Sequence, residues 1–541
     1  MSDKIRKWFE FFTRHERYFF WLLILLYLVP VWMSKFFPTL DGPAHIYNAN
    51  LLYQYGLHTS FLGQFYELNS NPEPNWIGHF ILTFFTPIFP VNICEKLILS
   101  IYIILLPLSF RLLAKTINPH GKYTEYLIFP FVYGFTFYMG FYNFNLGICF
   151  FFFALAYWIR NENRLNWIKI LIMSAFLILV YFSHVFIFAL LCVTAGIYLT
   201  WNFLFDSYQA KQLFVQAYLR KTGILLLAAL PGIVLTLNYV FRHANDDPAQ
   251  YIAFGELIKW IKQIRPIIAL NADNESPYSV ELFYILFSLS LGIIAVKLFR
   301  IQTQRANEGV LLLPGKSSSI FNRQDVWLIV TVIVLILYFF LPDAMTNGGY
   351  VSARVCLFFF LMLMVWISSQ RVSKWVAFPM ILLALTVNGA KMEYYTEQSK
   401  LLSIDAEEFF SVEQKIEKNT TLMPLNYSDN WLHAHFSNYL GGIKPVMIFD
   451  NYEANNEYFP LIFKDAQNPF KIVNGFHHRP PCFEWGKYER MSGKKIDYVL
   501  TWRYRPEIND SCTVAIMKNI DSLYTKIFSS PLGRAMLYKR K

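Results

Sequence analysis

Long apolar runs separated by short polar loops fill most of the chain. They fall near 18–37, 76–90, 94–113, 125–159, 167–203, 223–241, 281–299, 326–341, 354–370 and 375–391. Runs such as "YFFWLLILLYLVPVWM" (18–33) and "VWLIVTVIVLILYFFL" (326–341) approach or reach the ~20 apolar residues that span a bilayer. Two runs are too long for one crossing. At about 1.5 Å rise per residue, 125–159 and 167–203 would each extend roughly 50 Å, against a hydrocarbon core of about 30 Å. Each therefore predicts a hairpin, turning near "GFYNFNLG" (140–147) and "YFSHVF" (181–186). The 76–90 run is short and carries Gly78, His79, Pro87 and Pro90, which predicts a re-entrant or interfacial helix. The pattern predicts an α-helical polytopic membrane protein with about eleven transmembrane helices. The first run is too long, and too poor in small residues at its end, for a cleaved signal peptide, so it is read as a transmembrane helix.

The basic residues set the sidedness. "MSDKIRKWFEFFTRHER" places the N-terminus in the cytoplasm. With 76–90 not crossing, Arg111, Lys115 and Lys122 are cytoplasmic. So are "RNENRLNWIK" (160–169), "DSYQAKQLFVQAYLRK" (206–221), "KLFRIQTQR" (297–305) and Arg371 with Lys374. A full crossing at 76–90 would invert these loops and break the positive-inside rule. The same distribution explains a net charge of +11 without nucleic acid as a partner. Composition agrees: 55% of the 541 residues are hydrophobic and 16% charged, against about a quarter charged in a soluble protein.

Residues 392–541 change character and are read as a second, extracytoplasmic domain after a transmembrane domain at 1–391. Short runs such as "KPVMIFD" (444–450), "DYVLTW" (497–502) and "CTVAIM" (512–517) predict strands, and a charged stretch near 403–418 predicts a helix. A small α/β or α+β domain results. Cys482 and Cys512 are the cysteines of this polar part, and they are a disulfide candidate if it faces an oxidising compartment. Cys94, Cys149, Cys192 and Cys356 lie in apolar runs and read as packing residues.

With this topology the unusual polar residues gather at one membrane face. Asp41 and His45 follow the first helix and share a helical face if "DGPAHIYNANLLYQYG" is helical, with Pro43 in its first turn. Glu73 and His79 flank the re-entrant run, Asn143 and Asn145 mark the first hairpin tip, and His184 marks the second. Arg242, His243, Asp246 and Asp247 lie in "FRHANDDPAQ", and Arg354 follows "NGGYVSA". Ionisable groups near membrane depth are costly and usually mark a pathway or a site. A guanidinium just inside an apolar run suits a lipid phosphate, which it binds bidentately while staying charged. The competing readings are ordinary ones: a solvated Asp41, a snorkelling Arg354, turn-capping asparagines and hydrogen-bonded histidines. His433 and His435 in "WLHAHFSNY", and Arg479 in "GFHHRPP", belong to the outer domain and are read as acceptor-side or structural residues.

This arrangement resembles the GT-C superfamily of membrane glycosyltransferases, which includes protein O-mannosyltransferases and lipid A aminoarabinose transferases. In those, one helix leads to an external loop with a catalytic acid near its start. A juxtamembrane helix and a helix ending in basic residues follow. Here Asp41 matches the acid, "NPEPNWIGHFILTFFTPIF" the juxtamembrane element and "CEKLILSIYIILLPLSFRLLAK" the next helix. The likeness covers about residues 18–190, and the later parts are similar in layout only. It departs at "GFYNFNLG", which lacks the acid many relatives carry there, and at His184, where a lysine is common. The resemblance implies transfer of a sugar from a polyprenyl-phosphate donor to an extracytoplasmic lipid, glycan or protein acceptor, at the plasma (inner) membrane. It implies Asp41 as base or acceptor-orienting carboxylate, supported by His45, and Arg354 as donor-phosphate ligand, assisted by His79 or His184. Glu73, Asn143, Asn145, Arg242, His433 and His435 are candidate substrate contacts. The chemistry admits a divalent metal, although the sequence shows no clear ligand set. Two other readings fit a polytopic chain of this kind. A transporter or flippase of lipid-linked glycans would need polar residues through the midplane, and a non-catalytic envelope-assembly scaffold would need none of the chemistry.

Overall fold

A computed structural model of the protein describes all residues except 1–2, 58–59, 122, 244–248, 309–321, 345–347, 474–480, 483 and 509. Asp246, Asp247, Arg479 and Lys122 therefore lie outside the described residues. The chain divides into two units. One comprises Met1–Leu26, Tyr102–Phe137 and Phe144–Glu393, and the other Tyr27–Ile101, Tyr138–Asn143 and Tyr394–Lys541.

The protein is a polytopic helical membrane protein. Among the described residues, eight helices are long and apolar enough to cross a bilayer. They are Val91–Ile117, Tyr142–Asn161, Val185–Ala210, Val215–Arg242, Ala272–Phe299, Arg323–Phe340, Val351–Ser369 and Lys374–Lys415. Trp167–Ser183 is a shorter apolar helix, and Asp3–Trp32 carries the first apolar run. The expected hairpin at 167–203 is present. The break falls at His184, whose backbone is extended and whose Nδ1 accepts the Phe186 N–H as the N-cap of the second arm. The expected hairpin at 125–159 has only one regular arm. Its first half is a 3₁₀ stretch, Thr124–Phe131, and a single turn, Phe135–Tyr138. Pro130 lies within the former. A side chain at Gly134 would overlap the Pro266 carbonyl oxygen at 2.4 Å. A proline and a close backbone approach together break the regular hydrogen-bond ladder there. This and the brevity of Trp167–Ser183 account for much of the shortfall from eleven expected crossings.

In the first unit Val351–Ser369 is almost entirely buried, so its apolar residues form the centre of the packing. Val215–Arg242 lies at the periphery, with Leu219, Leu226, Leu230 and Leu237 exposed. Such a leucine surface suits hydrocarbon rather than water. Ion pairs and an amide hydrogen bond join polar positions on different helices and loops: Arg111 with Glu16 at 2.7 Å, Lys221 with Glu162 at 3.6 Å and Lys297 with Asp325 at 2.5 Å. Arg323 pairs with Asp206, and Asn118 Nδ2 donates to the Gln370 carbonyl at 3.1 Å. These contacts link loops that the charge pattern assigns to one side of the membrane.

The second unit holds the sheets. We number its strands β1 (Tyr66–Leu68), β2 (Thr420–Asn426), β3 (Val446–Ile448), β4 (Leu461–Phe463), β5 (Tyr498–Trp502), β6 (Tyr524–Ser529) and β7 (Ala535–Arg540). The main sheet has the order β3-β2-β5-β7-β6, with β2 parallel to β3 and β5, and β7 antiparallel to β5 and β6. β5 is buried along its whole length, as a central strand covered on both faces should be. Pro424 is tolerated in β2 because β3 pairs only with residues 420–422, which leaves an unpaired edge beyond them. β1 and β4 form a separate antiparallel pair. Two expectations need correction. "CTVAIM" is not a strand but the start of the helix Ser511–Leu523, opened by Asp510, whose carboxylate accepts the Thr513 N–H at 2.9 Å. Its buried residues Thr513, Ile516 and Ile520 follow helical spacing. The helix expected near 403–418 is not a separate element: it is the end of the long helix Lys374–Phe410 together with the 3₁₀ turn Glu413–Lys415, which complete the span Lys374–Lys415.

Candidate active site

Asp41 ends the loop after the first long helix and is the N-cap of the helix Gly42–Gly56. Its position is fixed mainly by backbone. The Leu40 N–H donates to the Tyr138 carbonyl at 2.9 Å, and the Asp41 N–H to the Met139 carbonyl at 3.1 Å. The loop is also tied to a buried carboxylate, Glu95. Its Oε1 accepts the Thr39 N–H, the Thr39 hydroxyl and the Tyr142 hydroxyl, each at 3.0 Å, while Oε2 accepts the Tyr439 hydroxyl. Four donors on one carboxylate satisfy a group that would otherwise be costly to bury. Two glycines make this closeness feasible. A β-carbon on Gly42 would sit 2.0 Å from Glu95 Oε1, and Gly140 has φ +76° with the Asp41 N 2.9 Å from where its β-carbon would be.

The Asp41 side chain does not cap its own helix. It is half-buried and lies 3.8 Å from His435 Nε2. It also accepts a hydrogen bond from the Tyr452 hydroxyl, and burial together with Asp41 and Glu453 pushes that phenol up. The His435 and Tyr452 rings pack with centroids 4.5 Å apart. A carboxylate held by backbone, flanked by an imidazole and a phenol, can accept a proton or orient a hydroxyl.

One turn along the same helix, His45 does not extend toward Asp41 but onto Glu453, with Nδ1 2.5 Å from Oε1. His79, in the helix Ile77–Phe85, places Nε2 2.8 Å from the other oxygen, Oε2. The imidazole nitrogens His45 Nδ1 and His79 Nε2 are 3.4 Å apart. All three side chains are buried. Burial raises the Glu453 carboxyl, but His45 and His79 outweigh it and hold the group down at about 2. Burial likewise lowers His45, and Glu453, then Asp41, more than reverse this, so its pKa is raised. Among the described residues, His45, His79 and Glu453 are the group whose ligand atoms converge closely enough to hold a metal ion.

The remaining expected residues fall in several places. Asn143 accepts the Gly78 N–H at 2.6 Å and donates to the Asn75 carbonyl at 2.7 Å, which pins the entry to the His79 helix. Glu73 is buried in the loop before it. His433 is a packing residue of the second unit: Nδ1 lies 2.8 Å from the Ser428 hydroxyl and Nε2 3.2 Å from Asp405. In the first unit, Arg354 Nη1 lies 3.4 Å from His184 Nε2, with its guanidinium over the Phe144 ring. Asn145 donates to the Thr136 carbonyl at 3.1 Å, and Arg242 ends the helix Val215–Arg242. Cys482 and Cys512 are joined as a disulfide, with Cα atoms 5.4 Å apart.

Sequence reasoning missed Glu95, Tyr439, Tyr452 and Glu453. Glu95 had a usable signal, an acid beside Lys96 at the very start of a long apolar run. Glu453 had none, since "NYEANNEYFP" reads as an ordinary polar loop more than 370 residues from its histidine partners.

No family model matches the chain, and no curated protein sequence matches it. Among solved structures, it is similar to ArnT from Cupriavidus metallidurans in the apo state, at 10% identity and a TM-score of 0.38. That alignment covers 96% of this chain and 97% of the other.

Proposed function

We infer that this chain is a membrane glycosyltransferase of the GT-C type, which moves a sugar from a polyprenyl-phosphate donor to an extracytoplasmic lipid, glycan or protein acceptor. The observation that carries this reading is Asp41. It is a carboxylate just beyond the helix Asp3–Trp32, fixed by backbone bonds to Tyr138 and Met139 and left facing His435 and Tyr452 instead of capping its helix. Asp41 accepts the proton of the acceptor hydroxyl, and the freed oxygen attacks the anomeric carbon. The bond from that carbon to the phosphate oxygen breaks, and the polyprenyl phosphate leaves with the electron pair. Arg354, beside His184 in the first unit, is a guanidinium of the kind that binds a phosphate, and no step of this reaction is routed through it. His45 and His79 are turned onto Glu453 and are not given proton-transfer or phosphate-binding roles. The N-terminus is cytoplasmic and residues 392–541 extracytoplasmic, a sidedness supported by the basic loops that the ion pairs draw together.

The test uses the purified full chain in lipid, with radiolabelled polyprenyl-phosphate sugars and a membrane extract as acceptor. Wild type should incorporate label, and Asp41→Asn should lose at least about a hundredfold in rate at unchanged folding, the upper part of the usual general-base range. Full activity in Asp41→Asn would sink the assignment. Export of lipid-linked glycan without transfer would favour a flippase.

A further inference from the structure

We propose that His45, His79 and Glu453 form a binding site for a zinc-type divalent cation. The geometry sets which nitrogens are available. His45 Nε2 lies 3.0 Å from the Gly140 carbonyl, and His79 Nδ1 lies 3.2 Å from the Asn75 carbonyl. A carbonyl oxygen only accepts, so these outer nitrogens carry the protons. That leaves the inner nitrogens, His45 Nδ1 and His79 Nε2, to face the Glu453 carboxylate, where each either carries a second proton or gives that place to a cation. Two imidazole nitrogens and a carboxylate converging in a buried space are held together by positive charge, which a divalent cation can supply in place of the imidazole protons. An outer N–H donated to a backbone carbonyl is also the usual way a ligating histidine is oriented.

Spacing and ligand type agree. Around a tetrahedral zinc ion with bonds of about 2.0–2.1 Å, neighbouring ligand atoms stand about 3.3 Å apart. The two inner nitrogens are 3.4 Å apart, so the imidazoles already stand correctly. The carboxylate, at 2.5 and 2.8 Å, has to swing back by several tenths of an ångström. Two imidazoles and one carboxylate suit zinc or a neighbouring transition ion rather than calcium or magnesium, which prefer all-oxygen sets.

Glu453 is also held in place from behind. Asn48 and Asn451 exchange amide hydrogen bonds at 2.8 and 2.9 Å, and Asn451 caps the short turn Tyr452–Asn455. An ion here would clamp three distant segments, the helices Gly42–Gly56 and Ile77–Phe85 and that turn, one helical turn from Asp41. Its role is to hold these elements, and it does not depend on the transferase reading.

The experiment measures metal directly. Full-length protein in detergent is stripped with chelator, checked for folding by thermal unfolding, and titrated with Zn(II) and with Co(II). About one equivalent should bind at micromolar free zinc, and Co(II), with a water as the fourth ligand beside the three protein atoms, should give the visible absorption of a tetrahedral N/O site. Binding should raise the unfolding temperature. Glu453→Gln, close in shape, and His79→Ala should each lose the bound equivalent at that concentration. Folded wild type that takes up neither ion overturns the proposal, and so does stoichiometric zinc retained by both variants. If a variant fails to fold, the wild-type titration with its cobalt spectrum still decides.

Discussion

Close approaches around Asp41 leave little tolerance for single atoms. Gly42 sits where one methyl group would collide with Glu95 Oε1, Thr39 Oγ1 and the Tyr142 hydroxyl, all buried and hydrogen-bonded. Gly42→Ala should cost about 1–3 kcal/mol, the usual range for overpacking, and should displace Asp41. A lower unfolding temperature with a loss of transfer rate would be the expected pair of results, and an unchanged unfolding temperature would mean the loop relaxes freely. Asp450 offers a second residue-scale test. Burial pushes its carboxyl up to about 7, although Ser437 and Asn438 hydrogen-bond it and pull the other way. The phenols of Tyr47 and Tyr66 also feel its charge. Between about pH 4 and pH 7 the folded chain then holds a proton here that the unfolded chain has released. The contribution of Asp450 to stability is thus present in acid and is lost as the pH rises through that window. Comparing the pH dependence of unfolding in wild type and Asp450→Asn should show a difference that grows from about pH 4 to pH 7. Parallel curves would place the group near its ordinary range.

Among the elements, the disulfide and the helix it enters make the clearest prediction. Cys512 lies in the first turn of Ser511–Leu523, and Cys482 is 30 residues earlier. Closing a loop of that length removes entropy from the unfolded chain worth roughly 3–4 kcal/mol. Reduction, or Cys482→Ser, should therefore lower the unfolding temperature of the unit containing Tyr394–Lys541, followed by differential scanning with and without reductant. The same helix shows how an element can be misread. Its opening residues "CTVAIM" are β-branched and apolar, which favours a strand over six positions. Asp510 and the three- and four-residue spacing of Thr513, Ile516 and Ile520 decide for a helix once the window is widened.

For the whole molecule, the charge pattern makes a topological prediction. The helices and loops bearing Arg111, Lys221, Lys297 and Arg323 are joined by ion pairs within one unit. The positive-inside rule places them in the cytoplasm. Reporter fusions should give an active extracytoplasmic phosphatase after Lys541 and a cytoplasmic signal in the 160–169 loop. The opposite result at both positions would invert the sidedness and remove Asp41 from the outer face.

What the sequence determined by itself was whatever depends on neighbours along the chain. Apolar length marked the membrane helices, a run too long for one crossing marked the 167–203 hairpin with its turn near 181–186, and charge bias marked the loops. Asp41 and His45 were legible for the same reason, since both open one helix after one apolar run. Tertiary structure decided what depends on distant segments. It turned His45 away from Asp41 and onto Glu453, brought His79 to the same carboxylate, and placed Tyr439 on Glu95. It also made a packing residue of His433. A short-range pattern records how each helix meets water or lipid, because that choice repeats every turn. Which carboxylate a buried histidine faces is fixed once, by the packing of elements hundreds of residues apart, and leaves no period to read.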